Sequence, residues 1–425
     1  MKQALLAAAA AIFFSSSALA GTTVIHAGTL LAVPGEKPLK EQSVVIENGK
    51  ITAVSPGYVN RDGAEVIDLK DSFVMPGLMD MHVHLQTELG PRNDSEALKM
   101  SMPLTQMRSQ MFAMRILKSG FTTVRDAGNS GEEMYAMRDA INKGWVNGPR
   151  IIAAGGVGIT GGHADISGVS PELMGLHDEK TRTLCNGPYD CRRATRHAIK
   201  YGADLIKITS TGGVLTDRAT GTGQQMEMDE LKEVVQAAQR MGRKVASHAH
   251  QEEGIIAALE AGVDSIEHGT YAGPRAHKLF KETGAYLVPT LLAGDTVVQL
   301  AKNTDVLSEA QKEKAIRVGT DMRGNFRKAV NAGVKIAFGT DSGVSKHGIN
   351  AREAVLMSEA GMDNMAILQS ATINAADLID MSDSLGTLEA GKHADIIATE
   401  GSPLESIEEL LDVDFVMKGG KIFKD

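Results

Sequence analysis

The chain has 425 residues, 43% hydrophobic and 23% charged, which is ordinary for a soluble globular protein. Its net charge is −9 with no basic stripe, which argues against nucleic-acid binding. After the N-terminus no apolar run reaches the roughly 18 residues a membrane span needs, so none is expected in the mature chain.

Residues 1–20 read as a secretory signal peptide. Lys2 gives a positive start, Ala4 to Phe14 form a short apolar run, and Ala18-Leu19-Ala20 is a small-x-small cleavage pattern. Cleavage near Ala20 would export the protein to the periplasm or the medium. Export makes a disulfide between Cys185 and Cys191 permissible, and a short bridged loop is left open; the pair is no zinc-finger pattern.

Residues 22–75 carry short β-branched runs, with Asn48-Gly49 as a hairpin turn between two of them. From residue 78 to about 380 the pattern changes. Strand-like runs at Leu78 to Val83, Thr122 to Asp126, Arg150 to Ala154, Leu205 to Thr209, Val245 to His248, Ser265 to His268, Tyr286 to Val288 and Lys335 to Thr340 alternate with helical stretches. Those stretches include Pro103 to Lys118, Glu132 to Lys143, Asp190 to Tyr201, Met228 to Met241, Glu252 to Ala261 and Gln311 to Asn331. Eightfold alternation argues for an α/β fold, a parallel (β/α)₈ TIM barrel over 77–385. An open doubly wound sheet would want a glycine-rich phosphate turn after its first strand, and His-x-His stands there instead. Strands return at Ala394 to Thr399 and Asp414 to Phe423. They should pair with the N-terminal strands, so that 21–76 and 386–425 make a small β-sandwich from both chain ends.

Chemistry gathers at the strand ends. His82 and His84, two apart on a strand, face the same way and suit one metal ion. Taken alone, such a pair fits surface or packed histidine as well. Further along, Lys207, His248, His268 and Asp341 each end an apolar run, and in a barrel all would share one face. Buried ionisable groups there are costly unless paired or metal-bound.

The runs Val74-Met75-Pro76-Gly77-Leu78-Met79-Asp80-Met81-His82-Val83-His84, Ile266-Glu267-His268-Gly269, Gly339-Thr340-Asp341 and Gly391-Lys392-His393-Ala394-Asp395-Ile396 resemble, in order, the amidohydrolase superfamily. The branch is that of imidazolonepropionase-like enzymes and metal-dependent Xaa-Pro and Xaa-Arg dipeptidases, which includes ochratoxin-hydrolysing members. The resemblance implies two divalent ions. His82, His84 and Asp341 would hold one, and His248 and His268 the other. Lys207, as N6-carboxylysine, would bridge them. Histidine and carboxylate donors suit Zn²⁺ best. The implied reaction is amide or peptide hydrolysis by a hydroxide between the ions, with Asp341 as base and then acid. The expected substrate is a dipeptide or N-acyl amino acid that releases its C-terminal amino acid. Alternatives are a lactonase or cyclic amide hydrolase, and a non-enzymatic metal-binding protein. The resemblance also implies substrate contact by His163 and by Tyr271, a supporting place for His250, and backbone groups of Gly213 and Val214 near a substrate carboxylate. A homo-oligomer is expected, since oligomers are common in this family.

Overall fold

The structure is a computed structural model that describes residues 21–425 apart from 92–95, 97, 98, 129, 130, 168, 169, 171, 173–182 and 217–220. The signal peptide read at 1–20 lies outside the described residues. Strands β1 (Thr23–Leu30), β2 (Leu39–Glu47), β3 (Lys50–Pro56) and β4 (Glu65–Pro76) open the chain. β1 runs antiparallel to β2 and parallel to β4. The β2–β3 turn uses Asn48 at φ 53° and Gly49 at φ 74°, the left-handed pair that a tight hairpin requires.

Gly77 separates β4 from β5 (Leu78–Val83), the first barrel strand. Then come β6 (Phe121–Asp126), β7 (Arg150–Ile159), the two-residue β8 (Leu184–Cys185), β9 (Leu205–Thr209), β10 (Val245–Ala249), β11 (Ser265–His268) and β12 (Tyr286–Val288). Apart from β8, which pairs beside β7, these strands follow one another in parallel order. Cys185 and Cys191 are disulfide-bonded across six positions, which settles the pairing left open above.

The run read as an eighth strand closes the barrel without forming a continuous ladder. Leu287 N donates to Lys335 O (2.9 Å) and Ala337 N to Leu287 O (3.0 Å) on one side. On the other, Met81 N donates to Phe338 O and Asp341 N to His82 O, both at 2.8 Å. Two further backbone groups go to a neighbouring helical segment, Phe338 N donating to Ser370 O (3.0 Å) and Asn374 Nδ2 to Ile336 O (2.8 Å), while Gly339 O accepts from Thr290 N (3.1 Å) and Thr340 N donates to Asp80 Oδ1 (3.1 Å). That division is why the regular pairing breaks.

β13 (Ile396–Thr399), β14 (Phe415–Lys418) and β15 (Lys421–Lys424) return to the first sheet, which runs β15-β14-β13-β4-β1-β2-β3. The sheet curls on itself. Ile51 N donates to Lys392 O (2.9 Å) and Ala394 N to Gly49 O (3.0 Å), so the β3 edge meets the segment entering β13. The sandwich expected from both chain ends is thus one curled sheet around Ile25, Val44, Ile46, Ile396, Phe415 and Met417. Alternation gives β4 two duties: Val74 faces this core, while Phe73 and Met75 face the barrel's.

The six helical stretches read from sequence reappear as Met102–Lys118, Glu132–Asn142, Pro188–Tyr201, Met228–Gln239, Glu252–Ala261 and Glu309–Asn331. Capping boxes start two of them, Glu227 with Glu230 and Ser308 with Gln311. The helix Leu291–Asn303, which follows β12, packs on Glu309–Asn331 beside the barrel mouth. Among the described residues no helix is long and apolar enough to cross a membrane.

Candidate metal centre

The carboxyl ends of the barrel strands meet in one cavity of about 340 Å³. His82 and His84 end β5 with their Nε2 atoms 3.3 Å apart. Asp341 Oδ1 lies 2.9 Å from His84 Nε2 and 3.6 Å from His82 Nε2. Yet Asp341 Oδ1 is buried with no hydrogen-bond partner among the described residues. A carboxylate oxygen and two ring nitrogens that converge on one point fit a shared cation. His82, His268 and Asp341 form one such cluster, and His248, His250 and His268 a second; within each, the donor atoms lie within 4.8 Å of one another.

Partners behind the rings fix which nitrogen faces forward. His82 Nδ1 donates to Glu267 Oε2 at 2.7 Å, leaving Nε2 as the ligand atom. Thr290 Oγ1 donates to Pro289 O, so it accepts from His268 Nδ1 at 2.6 Å, and His268 also presents Nε2. His248 turns Nε2 to the Gly212 carbonyl at 3.3 Å, which leaves Nδ1 available. His250 Nδ1 lies 2.9 Å from Thr270 Oγ1. Burial pushes His82 down to about 4 and His250 to about 3, and His248 and His268 well below the ordinary imidazole value. The rings are therefore neutral at neutral pH, as metal ligation requires.

Lys207 is buried on β9, with Nζ 3.4 Å from His82 Nε2 and 3.2 Å from the Ala127 carbonyl. Burial lowers its pKa, outweighing the nearby Glu267 and Asp341 carboxylates. For Asp341, burial raises the pKa, but His82, His84 and Lys207 together hold it below the usual value. Two of these groups sit in strained backbone. His268 (φ 70°) and Asp341 (φ 57°) are left-handed, as is Thr290 (φ 52°) behind His268. Such strain in non-glycine residues persists only where surrounding structure enforces it, and it clusters at functional sites.

His163 lines the cavity with its ring 4.3 Å from that of His248. Its Nδ1 is bonded to Thr216 Oγ1, and a Cβ on Gly213 would fall 2.1 Å from its Cε1, so only glycine lets the ring lie there. Val214 lines the cavity, whereas the Gly213 carbonyl accepts from Lys314 Nζ at 3.2 Å. The Tyr271 side chain is turned away from the other candidate residues. Its hydroxyl donates to Asp321 Oδ2 at 2.9 Å, and it is not among the cavity-lining side chains. The backbone turns at Gly269 (φ 57°) and brings Tyr271 N to the His250 carbonyl at 2.9 Å, so the backbone stays beside the cluster while the side chain turns to the helix Glu309–Asn331.

Sequence reading missed the supporting groups. Arg125 Nη2 donates to Glu267 Oε1 (2.7 Å) and Arg125 Nε to the Met81 carbonyl (2.5 Å), both fully inside the barrel. Asp80 accepts from His82 N, Thr340 N, Thr340 Oγ1 and Asn350 Nδ2, tying the first and last barrel segments together. Glu353, fully buried and pushed up to about 8 by that burial, accepts from Leu291 N (2.9 Å) and Leu292 N (2.6 Å) just past Thr290. Only Asp80 carried a signal: it shares a strand face with His82.

The fold and the paired clusters define a metal-dependent hydrolase. The amidohydrolase family pattern matches residues 73–423, and the chain belongs to the amidohydrolase family. It is 32% identical to ochratoxinase of Aspergillus niger, over 95% of this chain and 87% of that protein. It is similar to the crystal structure of a Xaa-Pro dipeptidase with methionine bound in its active site, at TM-score 0.89 and 42% identity, over 95% of this chain and 100% of the other. A prolidase complexed with N-methylphosphonate-L-proline superposes at TM-score 0.85 and 30% identity, over 95% and 99% of the two chains.

Proposed function

We propose that the protein hydrolyses the amide bond of a dipeptide or N-acyl amino acid and releases the C-terminal amino acid. The observation that carries this reading is the two donor clusters sharing His268 on one cavity wall, together with relatives described as a Xaa-Pro dipeptidase and an ochratoxinase. His82, His84 and Asp341 would hold one divalent ion, and His248 and His268 the other, with His250 beside them. Zn²⁺ suits these donors best. Burial that disfavours the ammonium of Lys207 supports its carboxylation to a bridging carbamate. Bound ions would supply an acidified water and polarise the substrate carbonyl.

The chain's own groups do the rest. Asp341 takes the proton from the attacking water and delivers it to the departing nitrogen. The carbonyl carbon gains the hydroxyl, the C–N bond breaks, and a carboxylic acid and an amine result. His163 is the substrate contact in this reading, which its bond to Thr216 and its place in the cavity lining support. The backbone at Val214 meets the substrate carboxylate in this reading, which its place in the cavity lining supports. We also propose export with cleavage near Ala20, which the bonded Cys185–Cys191 pair supports.

The test is a hydrolysis screen of the metal-loaded protein. Its panel holds Xaa-Pro, Xaa-Arg and Xaa-Phe dipeptides, N-acyl aromatic amino acids including ochratoxin A, and lactones. Amine release from any amide class upholds the reading. Lactone turnover alone, or silence across the panel, contradicts it.

A further inference from the structure

The cavity has two unlike halves. One is the metal centre. The other is an apolar wall of Val214, Leu215, Val297, Val318, Met322 and Val344, drawn from the loop after β9, the paired helices after β12, and the turn past Asp341. Among the described residues the only acidic or basic groups lining the cavity, histidines apart, are Lys207 and Asp341, and both belong to the metal centre.

Two polar side chains of the wall helix, Gln311 and Lys314, are turned to the loop after β9. Lys314 Nζ donates to the Gly213 and Thr216 carbonyls at 3.2 and 2.6 Å, and Gln311 Nε2 to the Leu215 carbonyl at 2.7 Å. These bonds strap the helix Glu309–Asn331 to the loop after β9, and they leave Val318 and Met322 as its contribution to the cavity. The wall is also close-packed behind. A Cβ on Gly319 would meet the Gly294 carbonyl oxygen at 2.5 Å, and a Cβ on Gly294 would meet Met322 Sδ at 2.5 Å. The two helices therefore touch backbone to backbone, which leaves no slack for them to part around a charged group and its water.

The geometry points to a substrate whose side chain next to the scissile amide is uncharged and apolar, seated on the wall of Val297, Val318 and Met322. This inference rests on amide hydrolysis as the reaction and narrows its substrate class. An ammonium, guanidinium or carboxylate pressed on this wall would lose its water and find no partner among the described residues. An aliphatic or aromatic side chain there would shed apolar surface from water and gain packing.

The experiment measures kcat/KM for two dipeptide series, Xaa-Ala and Ala-Xaa, with Leu, Phe and Met set against Lys, Arg and Glu. On at least one side of the bond, the apolar residues should exceed the charged ones by about 100-fold or more, given the cost of an unpaired buried charge. Val318→Asp and Met322→Glu, checked for metal content and cooperative unfolding, should each cut that ratio for Lys and Arg by about 10-fold or more. Two variants are used so that one failing to fold leaves the other. Equal or better turnover of charged residues on both sides overturns the inference and leaves amide hydrolysis standing. An unchanged ratio in a folded, metal-loaded variant overturns it as well. If no dipeptide is cleaved, amide hydrolysis fails, and calorimetry with L-leucine, L-phenylalanine and L-lysine on the metal-loaded protein decides: binding of only the apolar pair upholds the apolar site, and lysine binding as tightly overturns it.

Discussion

The curled end sheet and the barrel mouth are built from similar β-branched strands, yet they spend their irregularities differently. In the end sheet, left-handed backbone falls on the turn residues Asn48 and Gly49, which accept it readily, and on the exposed Glu41 (φ 48°) of β2. At the mouth it falls on His268, Thr290 and Asp341, which do not. The end sheet closes on an apolar core around Ile25 and Ile396, whereas the mouth buries Lys207, Glu267, Arg125 and Asp341. At the mouth the strained residues are themselves candidate ligands or stand behind one, and they sit among buried charges; in the end sheet the strained Glu41 is exposed, and the buried Asp395 is paired with Arg150.

The comparison can be broken or sharpened by substitution. The largest effect is expected at the mouth: Asp341→Asn should lower kcat by about 10²–10⁴-fold through loss of the proton carrier, with thermal stability nearly unchanged. Steady-state turnover and a melting curve check it. Next, Glu267→Ala should cost about 3–5 kcal/mol, because Arg125 is left charged and unpaired, and should also weaken metal retention by freeing the His82 ring. Denaturant unfolding and metal analysis after dialysis read the two losses separately. In the end sheet, Ile25→Ala should cost about 2–5 kcal/mol by opening a cavity, with kcat and metal content kept. If that variant lost activity while still folded, the division between the two regions would fail.

The smallest effect concerns Lys418, half-buried at the edge of the end sheet and bonded to the Gly148 carbonyl at 2.8 Å. Burial pushes it down to about 8 from 10.5. A depressed lysine is penalised while charged. Its cost should fade as pH rises from about 8 towards 10.5, so stability climbs across that window from this group. Lys418→Met should remove the climb and add about 1 kcal/mol at pH 7, read by unfolding at several pH values.

Much of the barrel was legible because each ligand ends an apolar run, and the run itself announces the strand. The eighth segment was legible as apolar but not as irregular, since its hydrogen bonds are shared with a helix far along the chain. Support for the ligands was hidden by distance: His82 and Glu267 are 185 positions apart, and Glu353 reaches Leu291 across 62. Tyr271 was reached through the resemblance, which carries a position but not a side-chain direction, and its hydroxyl turns to Asp321.

We propose that a two-ion site at the barrel mouth powers hydrolysis. Titrating metal-free protein with Zn²⁺ in bicarbonate buffer, while following turnover of a cleaved amide, tests it most directly. Activity should climb to a plateau at two equivalents per chain, and Asp341→Asn should stay flat. A plateau at one equivalent, or full activity in the presence of a chelator, would contradict it.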